Sequence, residues 1–274
     1  MMESKNIKLS PTHHRPKAAR SGYESSDNSP VAQRQTPEER AARRKATYAY
    51  LKEHFKVTQF IMESGAKLSL PQNAMSSACV LYHQFWKGCD PKDFDPYLIG
   101  MTAIYLASKA EECPCKVRDV INVCYRSSHK DSPCLEINAR YWELRESVVN
   151  CELLMLRVLG FRVSYDNPHK YLLHYLKGLQ DWTCPGMWER SQVPQISWSY
   201  LLDSHHIPLC LEYPPAHVAV ALLHFAVECV GLEVPSQEAV RPWWKALCSD
   251  VTPELIQSIT EDVMDMYDFE NKPV

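Results

Sequence analysis

The sequence predicts an all-α fold, and three observations carry that prediction. Apolar residues recur at helical rather than alternating spacing through long segments. Those segments end on helix punctuation, with Gly65, Gly160 and Gly231 as stops and Pro71, Pro96, Pro168, Pro215 and Pro253 near the starts. Val-rich alternating stretches joined by hairpin turns are absent.

Taken in order, the first helix is predicted from about Tyr48 to Ser64, stopped by Gly65. Pro71 suits the first turn of a second, to about Lys87. Asp95-Pro96 caps a third, to about Glu112, and Pro114 breaks it. A short fourth covers Arg118–Arg126, and a long fifth runs from about Leu135 to Leu159 before Gly160. A second set follows: Asn167-Pro168 to about Leu179, Gln195–His206, Pro214-Pro215 through Val230, Arg241–Cys248, and Pro253–Tyr267. Five helices followed by five suggest a duplicated architecture of two tandem five-helix units, 47–162 and 163–268. A basic tail, 1–46, precedes them and a short one, 269–274, follows.

The tail differs in kind from the rest. Residues 1–45 hold ten Lys/Arg against five Asp/Glu and few large apolar residues, so they are expected to be disordered. They contain Ser10-Pro11, Ser29-Pro30 and Thr36-Pro37, and end on Arg40, Arg43, Arg44 and Lys45. That cluster fits a nuclear-import signal and a solvated helix start equally. Residues 46–274 hold 20 basic against 28 acidic residues, a net −8 that opposes nucleic-acid binding, where phosphates demand Lys and Arg. The polar first twenty residues give no signal-peptide pattern, and no run suits a membrane span. Eleven cysteines, an odd number set in apolar stretches such as those around Cys79, Cys151, Cys210 and Cys229, fit free thiols in a reducing compartment. The expected location is therefore nuclear, cytoplasmic or both.

Two segments are too apolar for ordinary surface helices. Residues 97–110 contain one charge, Lys109; residues 151–161 contain two, Glu152 and Arg157. Both are expected to form the buried hub of the first five-helix domain. A charge in such a helix must reach water, pair internally or meet a partner. For Lys109 and Glu152, spacing alone leaves an internal salt bridge and two solvent-reaching ends open.

Leu106-Ala107-Ser108-Lys109-Ala110-Glu111-Glu112, followed some 40 residues later by Glu152-Leu153-Leu154-Met155-Leu156-Arg157-Val158-Leu159-Gly160-Phe161, resembles the core of a cyclin box. Val117-Arg118-Asp119-Val120-Ile121-Asn122-Val123 is similar to the transcription-type cyclins of the K and L kinds. Further matches are Tyr97-Leu98-Ile99, Trp142-Glu143-Leu144-Arg145, the run from Pro168 to Leu176, and Pro242-Trp243-Trp244. The resemblance covers roughly Phe55 to Tyr267. It implies a non-catalytic activator of a cyclin-dependent serine/threonine kinase, with cyclin-dependent kinase 10 as the partner. By the same resemblance Lys109 and Glu152 bond the kinase near its αC helix, beside an apolar pocket of Leu106, Ala110, Met155 and Val163, with Phe161 close by. Ala110 stands where cell-cycle cyclins often carry a large aromatic, which implies a roomier pocket. In Glu53-His54-Phe55-Lys56-Val57-Thr58-Gln59-Phe60, Glu53 replaces the methionine of the cell-cycle substrate-docking patch. The rival reading is a cyclin-fold transcription factor that binds DNA or the transcription machinery.

No other chemistry is expected. Cys113-Pro114-Cys115, with Cys124 and His129 in reach, lacks zinc-ligand spacing. His-Glu-x-x-His, a Gly-rich phosphate loop and a Gly-x-Ser-x-Gly elbow are all missing from a chain with eight glycines. The expectation is no enzyme activity, no cofactor and no metal. His205-His206 is read as a cationic helix end and His217 as a packing residue without a carboxylate partner.

Overall fold

Proline and glycine punctuation sets the helix order. The computed structural model describes residues 37–271 apart from 90–92, 131, 132, 134 and 236–240. Residues 1–36, with Ser10-Pro11, Ser29-Pro30 and Thr36, and residues 272–274 lie outside the described residues, as does Cys134. The first box comprises α1 (Pro37–Lys67), α2 (Gln72–Gly88), α3 (Pro96–Ala110), α4 (Val117–Ser128) and α5 (Ala139–Val158). The second comprises α6 (His169–Trp182), the single turn α7 (Pro185–Trp188), α8 (Val193–Asp203) with a 3-10 turn at Ser204–His206, the single turn α9 (Leu209–Glu212), α10 (Pro215–Val230), α11 (Trp243–Leu247) and α12 (Pro253–Glu270). No strand occurs among the described residues.

Each box is built around one apolar helix. In the first it is α3, which buries Ile99, Ile104, Leu106 and Ala107 and packs against α1, α2, α4 and α5. Gly100 lets α1 come close, since a Cβ there would stand 3.0 Å from Val57 Cγ1. In the second box the hub is α10, buried from His217 to Leu223 and flanked by α6, α8 and α12.

The second expected hub, 151–161, is not one. Helix α5 buries only Tyr141, Val148 and Met155, one residue every two turns, and lies on the surface. The apolar side chains of 151–161 divide: Met155 is fully buried, Cys151, Leu154, Leu156, Val158 and Leu159 are half-buried against the first core, and Leu153 and Phe161 face outward.

Helix α1 also departs from expectation. It starts at Pro37, so residues 37–46 are helical and not part of a disordered tail. It serves both cores: Leu51 and Phe55 pack into the second, Val57, Phe60 and Ile61 into the first. The Arg43 guanidinium donates to Asp262, to Ser258 Oγ and to Tyr213, and to Glu212 Oε2 at 3.2 Å. Arg44 reaches Asp265 at 2.8 Å and Asp268 at 2.6 Å. Local composition hides this, because the matching carboxylates stand 169 to 224 residues away. Burial pushes Asp262 up to about 7, with Arg43 opposing the shift. Arg43→Ala is expected to lower stability by about 2 kcal/mol, less than for a fully buried pair, because the stranded Asp262 can take up a proton. Removing residues 1–45 should have at least that effect. Urea denaturation of the two variants measures both.

The two boxes also meet through a chain of histidines. The Nε2–H of His83 donates to the His205 carbonyl oxygen at 2.9 Å, which leaves Nδ1 to accept from the Tyr50 hydroxyl at 2.6 Å. Thr58 Oγ1 donates to the Phe55 carbonyl and accepts from His206 Nδ1 at 2.9 Å. His205 is therefore no cationic helix end: it is buried, its Nδ1–H donates to the Leu201 carbonyl, and burial lowers its pKa to about 4.

Candidate functional site

Lys109 lies in the last turn of α3 and Glu152 two turns before the end of α5, and the packing of these two helices brings them together. Lys109 Nζ donates to Glu152 Oε1 at 2.7 Å and sits 3.9 Å from the centre of the Tyr105 ring. The Lys109 side chain is 40 % exposed and that of Glu152 12 %. Burial lowers the Lys109 pKa, but the bonds to Glu152 and Tyr105 outweigh it and hold the ammonium above the ordinary lysine value. Tyr105 is a site residue that the sequence reading missed; its place four residues before Lys109 was the available signal.

The end of α3 is fixed from behind. Ser77 Oγ donates to Glu111 Oε1 at 2.6 Å and accepts from Asn167 Nδ2 at 3.2 Å, tying α2, α3 and the inter-box linker together.

The other expected site residues divide by depth. Leu106 and Met155 are buried in the first core, so neither presents surface in the free chain. Ala110 and Val163 are half-buried. Phe161 is 69 % exposed, and its neighbour in the site Leu153, which the sequence reading passed over, is 52 % exposed. The end of α5 explains the outward Phe161. Its N–H bonds the Leu156 carbonyl at 2.8 Å and that of Gly160 the Arg157 carbonyl at 3.1 Å, the double bond pattern of a glycine-terminated helix. Phe161 follows Gly160 into the left-handed region at φ +61, a strain of about 1–2 kcal/mol for a bulky side chain.

Other candidates are less telling. Burial raises the thiols of Cys113 and Cys115, and that of Cys124 to about 12, which makes them poor nucleophiles. His217 does have a carboxylate partner, Asp250 at 2.9 Å, which also accepts from Cys248 at 3.2 Å. These three offer ligand atoms within 4.8 Å of one another, but they already satisfy one another, and His217 Nδ1 lacks the acceptor that orients a metal-bound imidazole. A cleft of about 240 Å³ lies elsewhere, between α1 and the second box, and is lined by Tyr50, Ile207, Leu209 and Asp262 among others. Phe60 is buried, so it offers no substitute for an exposed tryptophan in a substrate-docking patch.

Residues 31–164 match the family of the cyclin N-terminal domain, and residues 188–266 that of the cyclin-T2-like C-terminal domain. The chain belongs to the cyclin family. Its relatives include transcription-type cyclins. This cyclin is 32 % identical to cyclin-L1 of Gallus gallus over 214 residues, 76 % of its own length and 38 % of the relative's. It is 26 % identical to cyclin-K of Danio rerio over 222 residues, 79 % of its length and 50 % of the relative's. The cyclin thus spans about half or less of these relatives. Among solved structures, its fold matches a chain of the yeast RNA Pol II CTD kinase CTDK-1 complex with a TM-score of 0.61, at 17 % identity and with 81 % of this chain and 66 % of that one covered. A chain of the CAK complex from Chaetomium thermophilum bound to ATP-gamma-S matches with a TM-score of 0.58, at 12 % identity over 87 % of this chain and 79 % of that one. No helix among the described residues is long and apolar enough to cross a membrane.

Proposed function

We propose that this cyclin is the non-catalytic, activating subunit of a cyclin-dependent serine/threonine kinase, cyclin-dependent kinase 10, acting in the nucleus. The observation that carries the reading is the Lys109–Glu152 pair joining α3 and α5, with two exposed apolar residues close to it along the chain: Leu153, next to Glu152, and Phe161, just past the end of α5. A partly exposed ion pair accompanied by exposed apolar side chains fits an interface, where charged groups set register and apolar ones are desolvated. Phosphoryl transfer requires the kinase αC glutamate to pair with the β3 lysine. A rigid helical surface that binds only the αC-in form shifts the kinase toward it, and moving a 1:99 equilibrium to 99:1 takes roughly 5.5 kcal/mol of differential affinity. Lys109 and Glu152 would bond the αC end, with Phe161, Leu153, Ala110 and Val163 against its apolar side chain and Leu106 and Met155 beneath.

Reconstitution against a panel of purified cyclin-dependent kinases tests this. The expected result is a one-to-one complex with cyclin-dependent kinase 10 and kinase activity well above that of the kinase alone. Activation of a different member would overturn the specific partner, and binding to none would overturn the reading.

A further inference from the structure

The cleft between α1 and the second box stands apart from the proposed kinase site, since no residue of α3 or α5 lines it. Its volume is about 240 Å³, and its lining is of two kinds. Ile207, Pro208 and Leu209 are apolar, and Ile207 and Leu209 belong to the second core. Asp262 of α12, Glu212 of α9, and Thr47 and Tyr50 of α1 supply oxygen atoms. Apolar walls with a few convergent polar groups are the composition of a ligand site.

Asp262 is the telling group. It is 7 % exposed, yet both hydrogen bonds it accepts, from Arg43 and from the Tyr213 hydroxyl at 3.3 Å, end on Oδ2. Its Oδ1 accepts none among the described residues. A carboxylate so withdrawn from water ordinarily has its oxygens bonded, so an idle one on the wall of a cleft leaves room for a donor. The surrounding charge selects the sign of that donor. Arg43 is the one cation among the described residues that line the cleft, and it faces two carboxylates. Helix α12 as a whole carries six acidic side chains and no basic one. An anion is repelled here, and a bare cation or water leaves the apolar lining uncovered.

We infer that this cleft is a binding site for an alkylammonium group, its nitrogen donating to Asp262 Oδ1 and Glu212 and its hydrocarbon chain lying against Ile207, Pro208 and Leu209. An ammonium has three hydrogens, enough for both carboxylates and the Thr47 hydroxyl. Bonds of this charge-assisted kind are the strong ones. A free amine and the lysine side chain of a partner protein both present this chemistry, a run of methylenes ending on an ammonium.

Titration calorimetry of the full chain with n-pentylamine, 1-pentanol, pentanoate and N-acetyl-lysine methylamide tests the assignment. The expected result is one-site binding of pentylamine with a Kd of about 1 mM or below, a range open to a ligand this small. Pentanol and pentanoate should bind about 10- to 100-fold more weakly, for want of the charged bond. Binding of the lysine amide as well as pentylamine points to a partner protein as the source, and binding of pentylamine alone to a free amine. Burial, against the pull of Arg43, holds the Asp262 carboxyl at about 7 in the free chain. Arg43 on α1, Glu212 on α9, Tyr213 and, on its own helix, Asp265 are the titratable groups that face it. Only the ionised carboxylate attracts an ammonium, so pentylamine should bind about 10-fold more tightly at pH 8 than at pH 6. Asp262→Asn should lose that pH dependence and bind pentylamine about 10- to 100-fold more weakly. Ala46→Trp, at an exposed position of α1 on the cleft wall, should block the site with little change in melting temperature, and it serves as the test should Asp262→Asn fail to fold. Absence of pentylamine binding, equal binding of pentanol, or full pentylamine binding by Ala46→Trp would each overturn the assignment.

Discussion

Lys109→Ala and Glu152→Ala are each expected to weaken the kinase complex about 100-fold, while lowering the stability of the free cyclin by about 1 kcal/mol or less. Truncating one partner of a charged hydrogen bond desolvated at an interface costs roughly 2–5 kcal/mol, because the remaining charge is then buried alone. In the free chain the same pair contributes little. With Lys109 40 % exposed, the ammonium competes with water for the carboxylate, and exposed pairs are worth at most about 1 kcal/mol. The 2.7 Å bond between them does not preclude a partner: an ammonium carries three hydrogens and a carboxylate two oxygens, so both ends retain capacity while joined. A small asymmetry is expected in the free protein. Glu152, 12 % exposed, is stranded more severely by Lys109→Ala than Lys109 is by Glu152→Ala, so the lysine variant should melt lower. If the pair were only an internal brace, melting temperature would fall clearly in both variants and binding would decline only in proportion. Calorimetric melting and surface-immobilised kinase binding on the same two variants separate the outcomes.

Much of this site was legible in the sequence because its signals are local. The third helix was expected to end at about Glu112, which put the lone lysine of the run 97–110 near that end, and α3 places Lys109 in its last turn. Gly160 marked the end of α5 correctly, and with it the turn that exposes Phe161. What misled was apolar content used as a measure of internal burial: it held for Ile104 and Leu106 on α3 and failed for Leu153 on α5 and Phe161 just past its end. Composition counts greasy side chains without saying which molecule covers them. Distance along the chain hid the rest. Arg43 reads as a solvated tail residue until Asp262 is brought to it, and His205 reads as a cation until the second box buries it against the first. His217 was taken to lack a carboxylate because Asp250 lies 33 residues on.

Acidification from pH 7.5 to 5 is expected to destabilise the free cyclin by several kcal/mol, with the junction between the boxes as the origin. His83 is held at about 3, and His169, His205 and His206 at about 4, in each case chiefly because burial penalises the charged ring. The sign follows from linkage. Unfolded, these rings take protons near 6.5; folded, they refuse them until far lower pH. Above 6.5 the rings are neutral in both states and contribute no pH dependence. Between 6.5 and about 4 the unfolded chain binds more protons, so stability falls steadily as pH drops. Each shift of two units or more corresponds to about 3 kcal/mol at full effect, against a total stability of about 5–15 kcal/mol for a typical domain. Asp262 works in the opposite direction, gaining its proton first in the folded state as pH falls below about 7, but it is one group against four. The geometry gives the histidine effect a structural address: protonating His83 Nδ1 would set a donor against the Tyr50 hydroxyl, which would then have to turn, while Nε2 is already committed to the His205 carbonyl. Urea denaturation at pH 7.5, 6 and 5 reads the loss directly. His83→Gln, whose amide can still donate to the His205 carbonyl, should be less stable at neutral pH yet lose less on acidification, by about one proton's worth of slope. Stability that stays flat from pH 7.5 to 5 in the parent protein would show that the junction histidines titrate as they do in water.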